Sequence, residues 1–171
     1  MRCVTWLGER GRDGGIDTIP LPIATGTLSL CGKHVVGPDP VAALQRADAT
    51  TMVCLVEAHE LSDRYPDYLT WLGEHAGAGA VWFPIHDLHA PPLERARHLL
   101  TDLVARLRRD ERLLMHCAAG IGRAGTMAVC VLIELGVPAD EALDIVAAAR
   151  PMAGPEAGTQ MDLVRALASA T

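Results

Sequence analysis

Aromatic side chains are scarce in this chain, with one Phe, two Tyr and three Trp among 171 residues, although half of all residues are hydrophobic. A deep pocket walled by aromatic rings is therefore not expected. Positive charge is also short: 15 Lys and Arg stand against 21 Asp and Glu, a formal net charge of −6. With no long basic stretch, binding to nucleic acid or to an anionic membrane surface is disfavoured. The densest cationic cluster, Arg106-Leu107-Arg108-Arg109, closes a predicted helix, where it complements the negative helix end. No apolar run approaches the roughly 20 residues of a membrane span, and Met1-Arg2-Cys3 leads into a Gly- and Arg-rich stretch with no apolar signal core. Cys3, Cys31, Cys54, Cys117 and Cys130 are odd in number and show no paired spacing. That pattern suits a reducing compartment, so a cytoplasmic location is expected.

What is present fits one domain over residues 1–171 that buries a substantial core, with an irregular N-terminal segment over 1–22. That segment holds Gly8, Gly11, Gly14, Gly15, Pro20 and Pro22, too many breakers for a regular element. Beyond it, Thr27 to Cys31 alternates like an edge strand, and Gly32-Lys33 reads as a turn into His34-Val35-Val36. Asp39 caps a short helix running from Pro40 to about Ala47. Further strands are predicted at 51–56, 80–83 and 112–115. Residues 60–74 form a helix broken at Pro66, and 92–109 a helix whose apolar stripe runs from Leu93 to Leu107. A buried helix over 127–135 ends at Gly136, and two more cover 139–149 and about 156–168. Strands alternating with helices predict an α/β fold: a central, mostly parallel sheet of four to five strands with helices on both faces.

The densest chemical information lies in Met115-His116-Cys117-Ala118-Ala119-Gly120-Ile121-Gly122-Arg123-Ala124-Gly125-Thr126, a predicted strand, a glycine-containing loop and a helix start. Backbone N–H groups of a tight loop opening a helix bind a phosphate without any side chain, and glycines let consecutive amides turn inward. Residues Ala118 to Gly122 are thus candidate phosphate binders, joined by the planar fork of Arg123. The same positive field favours the anionic form of Cys117, which makes it a candidate nucleophile at phosphorus. His116, one residue earlier, is expected to point away from the loop and to fix its backbone.

His116-Cys117, five residues and then Arg123 resembles the signature loop of the protein tyrosine phosphatase superfamily, in its compact dual-specificity and atypical bacterial-type branch. The likeness runs from about Thr27 to Leu167. It implies a phosphatase-like fold and hydrolysis of phosphotyrosine, with phosphoserine and phosphothreonine also open, through a phosphocysteine on Cys117, with a phosphorylated protein or peptide as partner. No cofactor or metal is implied.

Cleavage needs a proton on the leaving oxygen. Asp87, in Pro84-Ile85-His86-Asp87 after a predicted strand, is the candidate donor, and the segment is similar to the family's general-acid loop; a turn-capping carboxylate is the alternative. With Cys117 ionised and the acid protonated, activity should be bell-shaped in pH. His86 and His89 flank Asp87 as alternative acids. Gln160, downstream of Arg150-Pro151, is similar to the glutamine that positions the hydrolytic water, or else is an exposed helix residue. One departure stands out: the position after Arg123 usually carries Ser or Thr, whose hydroxyl helps sulfur leave, and here it is Ala124. Slow phosphocysteine breakdown is expected, relieved by Ala124→Ser. Two other readings remain open: a phosphoresidue-binding module with little turnover, and a thiol-based redox or sulfur-transfer enzyme. Cys54, in the apolar run 52–56, reads as an inert packing residue, with a disulfide to Cys117 on oxidation as the alternative.

Overall fold

In the computed structural model, which describes residues 15–23 and 25–170, five strands form one sheet: β1 (Asp17–Ile19), β2 (Thr27–Gly32), β3 (Thr51–Cys54), β4 (Ala80–Trp82) and β5 (Arg112–Cys117). Their order is β1-β2-β5-β3-β4, and only β1 runs antiparallel to its neighbour. The three central strands β2, β5 and β3 are almost wholly buried along their length, as expected of parallel strands covered on both faces. Helices α1 (Lys33–Val36), α2 (Pro40–Arg46), α3 (His59–Ser62) and α4 (Pro66–His75) lie in the first half of the chain. Helices α5 (Leu93–Arg108), α6 (Gly122–Glu134), α7 (Ala139–Ala149) and α8 (Gly158–Ala168) pack on one another in the second.

Local chemistry explains most of these boundaries. Asp39 accepts a hydrogen bond from the Ala42 amide at 2.9 Å and Pro40 fills the first turn, so α2 starts where its cap predicts. Pro66 interrupts the helical stretch and opens α4. In α5, Ala96, Leu99, Leu100, Leu103, Val104 and Leu107 are buried on one stripe, each large side chain contributing roughly 1.5–3 kcal/mol. Helix α6 is buried all round from Gly122 to Ile133. It ends at Glu134, and Gly136, with a φ of 92°, supplies the left-handed residue that releases the chain.

Three expectations need correction. The stretch read as irregular contains β1, because Asp17, Thr18 and Ile19 pair in register with Leu30, Ser29 and Leu28, and a backbone ladder outweighs the surrounding glycines and prolines. Consequently β2 is not an edge strand: β1 covers its outer side. Residues Lys33 to Val36 form one helical turn, where a turn at Gly32-Lys33 leading into His34-Val35-Val36 was expected, with the Gly37 amide donating to the Lys33 carbonyl. The rest of segment 1–22 before Gly15 lies outside the described residues, as does Cys3.

Candidate active site

Strand β5 delivers Cys117 at its carboxyl end, and α6 begins at Gly122, so the loop between them spans the place where parallel sheets usually bind ligands. Five consecutive carbonyls, those of residues 117 to 121, are all engaged by donors from outside the loop. His116 Nδ1 donates to Cys117 O at 3.2 Å, and the Lys33 amide to Ala118 O at 3.0 Å. Arg150 donates through Nη2 to Ala119 O at 3.0 Å and through Nε to Gly120 O at 2.6 Å. The Gly154 amide reaches Ile121 O at 3.1 Å. In a trans peptide the N–H points opposite to the C=O. Tethering these five carbonyls to surrounding groups therefore directs the N–H groups of Ala118, Ala119, Gly120, Ile121 and Gly122 away from those tethers, five consecutive donors of the kind that binds an anion. Gly120 is required there twice over: its φ is 72°, and a Cβ would overlap the Cys31 carbonyl.

Arg123 is withdrawn from solvent, its side chain 1% exposed. Its Nη1 donates to Glu60 Oε1 at 2.7 Å and to Ile85 O at 2.8 Å, and its Nη2 to Glu60 Oε2 at 2.9 Å. Three of the five guanidinium donors are thereby committed. Among the described residues the Nε–H has no such partner, and the second hydrogen of Nη2 is the one that Asp87 Oδ1 approaches at 3.3 Å. Burial is the largest influence on this guanidinium and opposes its charge, but the Glu60 hydrogen bond and the negative fields of Glu60, Cys117 and Asp87 raise its pKa further. Burial likewise disfavours ionised Glu60; the Arg123 bond, the Glu57 amide and Lys33 more than offset it and hold its carboxyl below the usual range. Glu60 is itself positioned, its Oε1 accepting from the Glu57 amide at 3.0 Å and its carbonyl from Lys33 Nζ at 2.9 Å.

Asp87 meets the same guanidinium, with Oδ1 at 3.3 Å from Nη2, yet its side chain is 66% exposed. The predicted acid and the predicted phosphate-binding arginine are thus brought together. His86 to His89 are all exposed, and Leu88 takes a φ of 61°, unusual for a branched side chain. His86 Nδ1 pairs with Glu57 Oε2 at 2.9 Å.

Behind the loop, His116 is fully buried, and burial above all drives its pKa down to about 4, so its ring is neutral. Because Nδ1 donates to a carbonyl, Nε2 is left to accept the Tyr68 hydroxyl at 2.7 Å. The ring is thus buried behind the loop and bonded to the Cys117 carbonyl. Cys54 stands in register with His116 on β3 and shares its face of the sheet, whereas the adjacent Cys117 projects to the other. Its thiol, pushed up to about 12 by burial, bonds weakly to Val56 O. The geometry does not support the Cys54–Cys117 disulfide.

Gln160 is fully buried, not an exposed helix residue. Its Oε1 accepts from the Glu156 amide at 2.7 Å and its Nε2 donates to His89 O at 3.3 Å, which ties α8 to the Asp87 loop. Ala124 is fully buried. The Thr126 hydroxyl is buried too and has no protein partner among the described residues.

Sequence reasoning missed Glu60, and it treated Tyr68 only as core. The signal was available for Glu60: it lies just beyond the carboxyl end of β3, on the edge of the sheet where Cys117 and Asp87 also emerge. Arg150 was noticed only as part of an Arg-Pro pair. Its five bonds, to Gly15 O, Asp17, Leu30 O, Ala119 O and Gly120 O, make it the strut between β1 and the loop.

Fold and loop together define a dual-specificity-type phosphatase domain. The chain belongs to the family described as PTP-SAK, the DSP-PTPase phosphatase domain of Swiss Army Knife proteins, whose model matches residues 25–171. Among solved structures it is similar to Tk-PTP in its active form, with 29% identity, a TM-score of 0.67, and coverage of 87% of this chain and 95% of that one. It shares its fold with kinase associated phosphatase, solved with serine in place of its catalytic-site cysteine (21% identity, TM-score 0.72, 91% and 96% covered). Human DUSP28 has the same fold (19% identity, TM-score 0.64, 84% and 92% covered). No curated protein matches the sequence. Among the described residues no helix is long and apolar enough to cross a membrane.

Proposed function

We propose that the protein hydrolyses phosphotyrosine, and with it phosphoserine or phosphothreonine, in protein or peptide substrates. The tethering of five consecutive loop carbonyls is the observation that supports this best, because it leaves the five successive amides that follow Cys117 free to donate to an anion. Phosphate seats on the N–H groups of residues 118 to 122 and on Nε and Nη2 of Arg123, displacing Asp87 from the guanidinium toward the leaving oxygen. The Cys117 sulfur attacks phosphorus; the bond from phosphorus to the leaving oxygen breaks, and Asp87 gives that oxygen its proton. Water then hydrolyses the phosphocysteine. Ala118 and Ala119 bring no charge to the mouth, which favours phosphoprotein over highly anionic inositide substrates. The unpaired Cys31, Cys54, Cys117 and Cys130 suit a reducing, cytoplasmic setting.

The test is hydrolysis of an aryl phosphate. Cys117→Ser should abolish it, and Asp87→Asn should lower kcat by about 10²–10⁴. Full activity in Cys117→Ser would end the proposal. Phosphopeptide binding without any turnover in the native protein would instead favour the binding-module reading that Ala124 motivates.

A further inference from the structure

Helix α3 carries Glu60, the partner of Arg123, yet it is a single turn, His59–Ser62, with no side-chain cap. One isolated turn fixes little by its own hydrogen bonding. The aim of the Arg123 guanidinium therefore depends on what holds this turn from outside. Leu61 anchors it in the core, and Lys33 ties it to the phosphate loop.

Lys33 is the first residue of α1 and is half-buried. Its backbone and its side chain serve two different parts of the site. The backbone amide donates to Ala118 O at 3.0 Å, on the residue after Cys117. Nζ donates to Glu60 O at 2.9 Å. Glu60 in turn receives Nη1 and Nη2 of Arg123 at 2.7 and 2.9 Å. A closed circuit results, from Ala118 to Lys33, to Glu60, to Arg123 and back along the chain to Ala118. The approach is close: Gly32 stands in register with Cys117, and a Cβ there would lie 2.7 Å from His34 Nδ1 and 3.0 Å from Ala118 O. The loop amides belong to the main chain, whereas the guanidinium stands at the end of a long side chain. The circuit is what sets one against the other. An ammonium suits this link, because its bond to a carbonyl is charge-assisted and its positive charge adds to the potential that draws in an oxyanion.

We infer that Lys33 is a positioning residue for phosphate, holding the Arg123 guanidinium, through Glu60, in register with the loop amides. The inference rests on the phosphate-binding step of the function proposed above.

Calorimetric titration of inorganic phosphate into the full chain tests it. Lys33→Met should weaken phosphate binding about tenfold, the equivalent of one charge-assisted hydrogen bond, and Lys33→Arg should recover most of that loss. In a Glu60→Gln background Lys33→Met should add only about twofold, because members of one network act non-additively. A merely structural lysine would give additive losses, so full additivity would overturn the assignment. Native phosphate affinity in Lys33→Met would overturn it as well, and so would the absence of any phosphate binding by the native chain. Hydrolysis of p-nitrophenyl phosphate, measured in parallel, keeps the two readings apart. A native chain that binds phosphate but does not cleave the ester would end the phosphatase reading, while the affinities would still decide the role of Lys33. Should Lys33→Met fail a circular-dichroism check of folding, Lys33→Gln is titrated in its place against the same criteria.

Discussion

The loop that would hold phosphate and the loop that would deliver the proton are built to opposite specifications. The first is fixed from outside at five successive carbonyls by groups from β5, α1, the Arg150 side chain and residue 154, and its arginine is buried against Glu60. The second, from His86 to His89, is exposed throughout and touches the rest of the site through side-chain contacts at its rim: His86 to Glu57, Asp87 to Arg123, Gln160 to His89 O and Thr159 to Leu88 O. An anion hole gains from having its dipoles oriented before the charge arrives. A proton donor has to follow its substrate, and few anchors permit that movement. Rigidity and looseness are each placed where the chemistry benefits.

That contrast breaks most visibly at Glu60. Replacing it with Gln leaves the buried Arg123 cation without its charged partner, so stability should fall by about 3–5 kcal/mol and kcat/KM by roughly a hundredfold through misplacement of the guanidinium fork. Urea denaturation and aryl phosphate kinetics measure the two effects. A Glu60→Gln protein as stable and active as the native one would mean the phosphate loop is not held in the way described.

The next effect is a pH dependence on the rigid side. His116 titrates at about 4 in the fold against its ordinary 6.5, because burial excludes the cation. The unfolded chain therefore takes up a proton in this window that the folded chain refuses. Stability should fall as pH drops from about 6.5 to about 4, by on the order of 3 kcal/mol, and this contribution should level off below. His116→Asn should flatten that part of the stability profile; an unchanged slope would remove His116 as its source.

The mildest perturbation probes the looser side. Gln160→Ala removes two bonds, one to His89 O and one from the Glu156 amide, at a cost of about 1–3 kcal/mol. If the acid loop depends on this tie, kcat on alkyl phosphates, whose leaving oxygen needs a proton, should fall more than kcat on p-nitrophenyl phosphate. Equal losses on both would show that the tie serves stability alone.

How far the sequence reveals the molecule divides along the same line. The strand, glycine loop and helix around Cys117 could be read because backbone geometry there follows from local residue choice: apolar runs, Gly120, Gly122 and the arginine at a fixed interval. So could α2, from its Asp39-Pro40 start. What escaped were partnerships made only in three dimensions. Glu60 meets Arg123 across 63 residues, and Arg150 reaches Asp17 across 133; no periodicity records either. Strand β1 was hidden because three residues among glycines look like coil until a neighbouring strand offers them hydrogen bonds. The alternative of a Cys54–Cys117 disulfide could not be decided from sequence for a related reason. Adjacency of two strands was foreseeable, but the one-residue register that sends Cys54 and Cys117 to opposite faces was not.

The tethers on the phosphate loop grip peptide groups and leave the side chains of Ala118 and Ala119 out of the scaffold. Those two methyl groups are ornaments on a frame that stands without them. Charge, bulk or aromatic rings introduced there would recast the entrance while the tethered peptide groups stayed as they were.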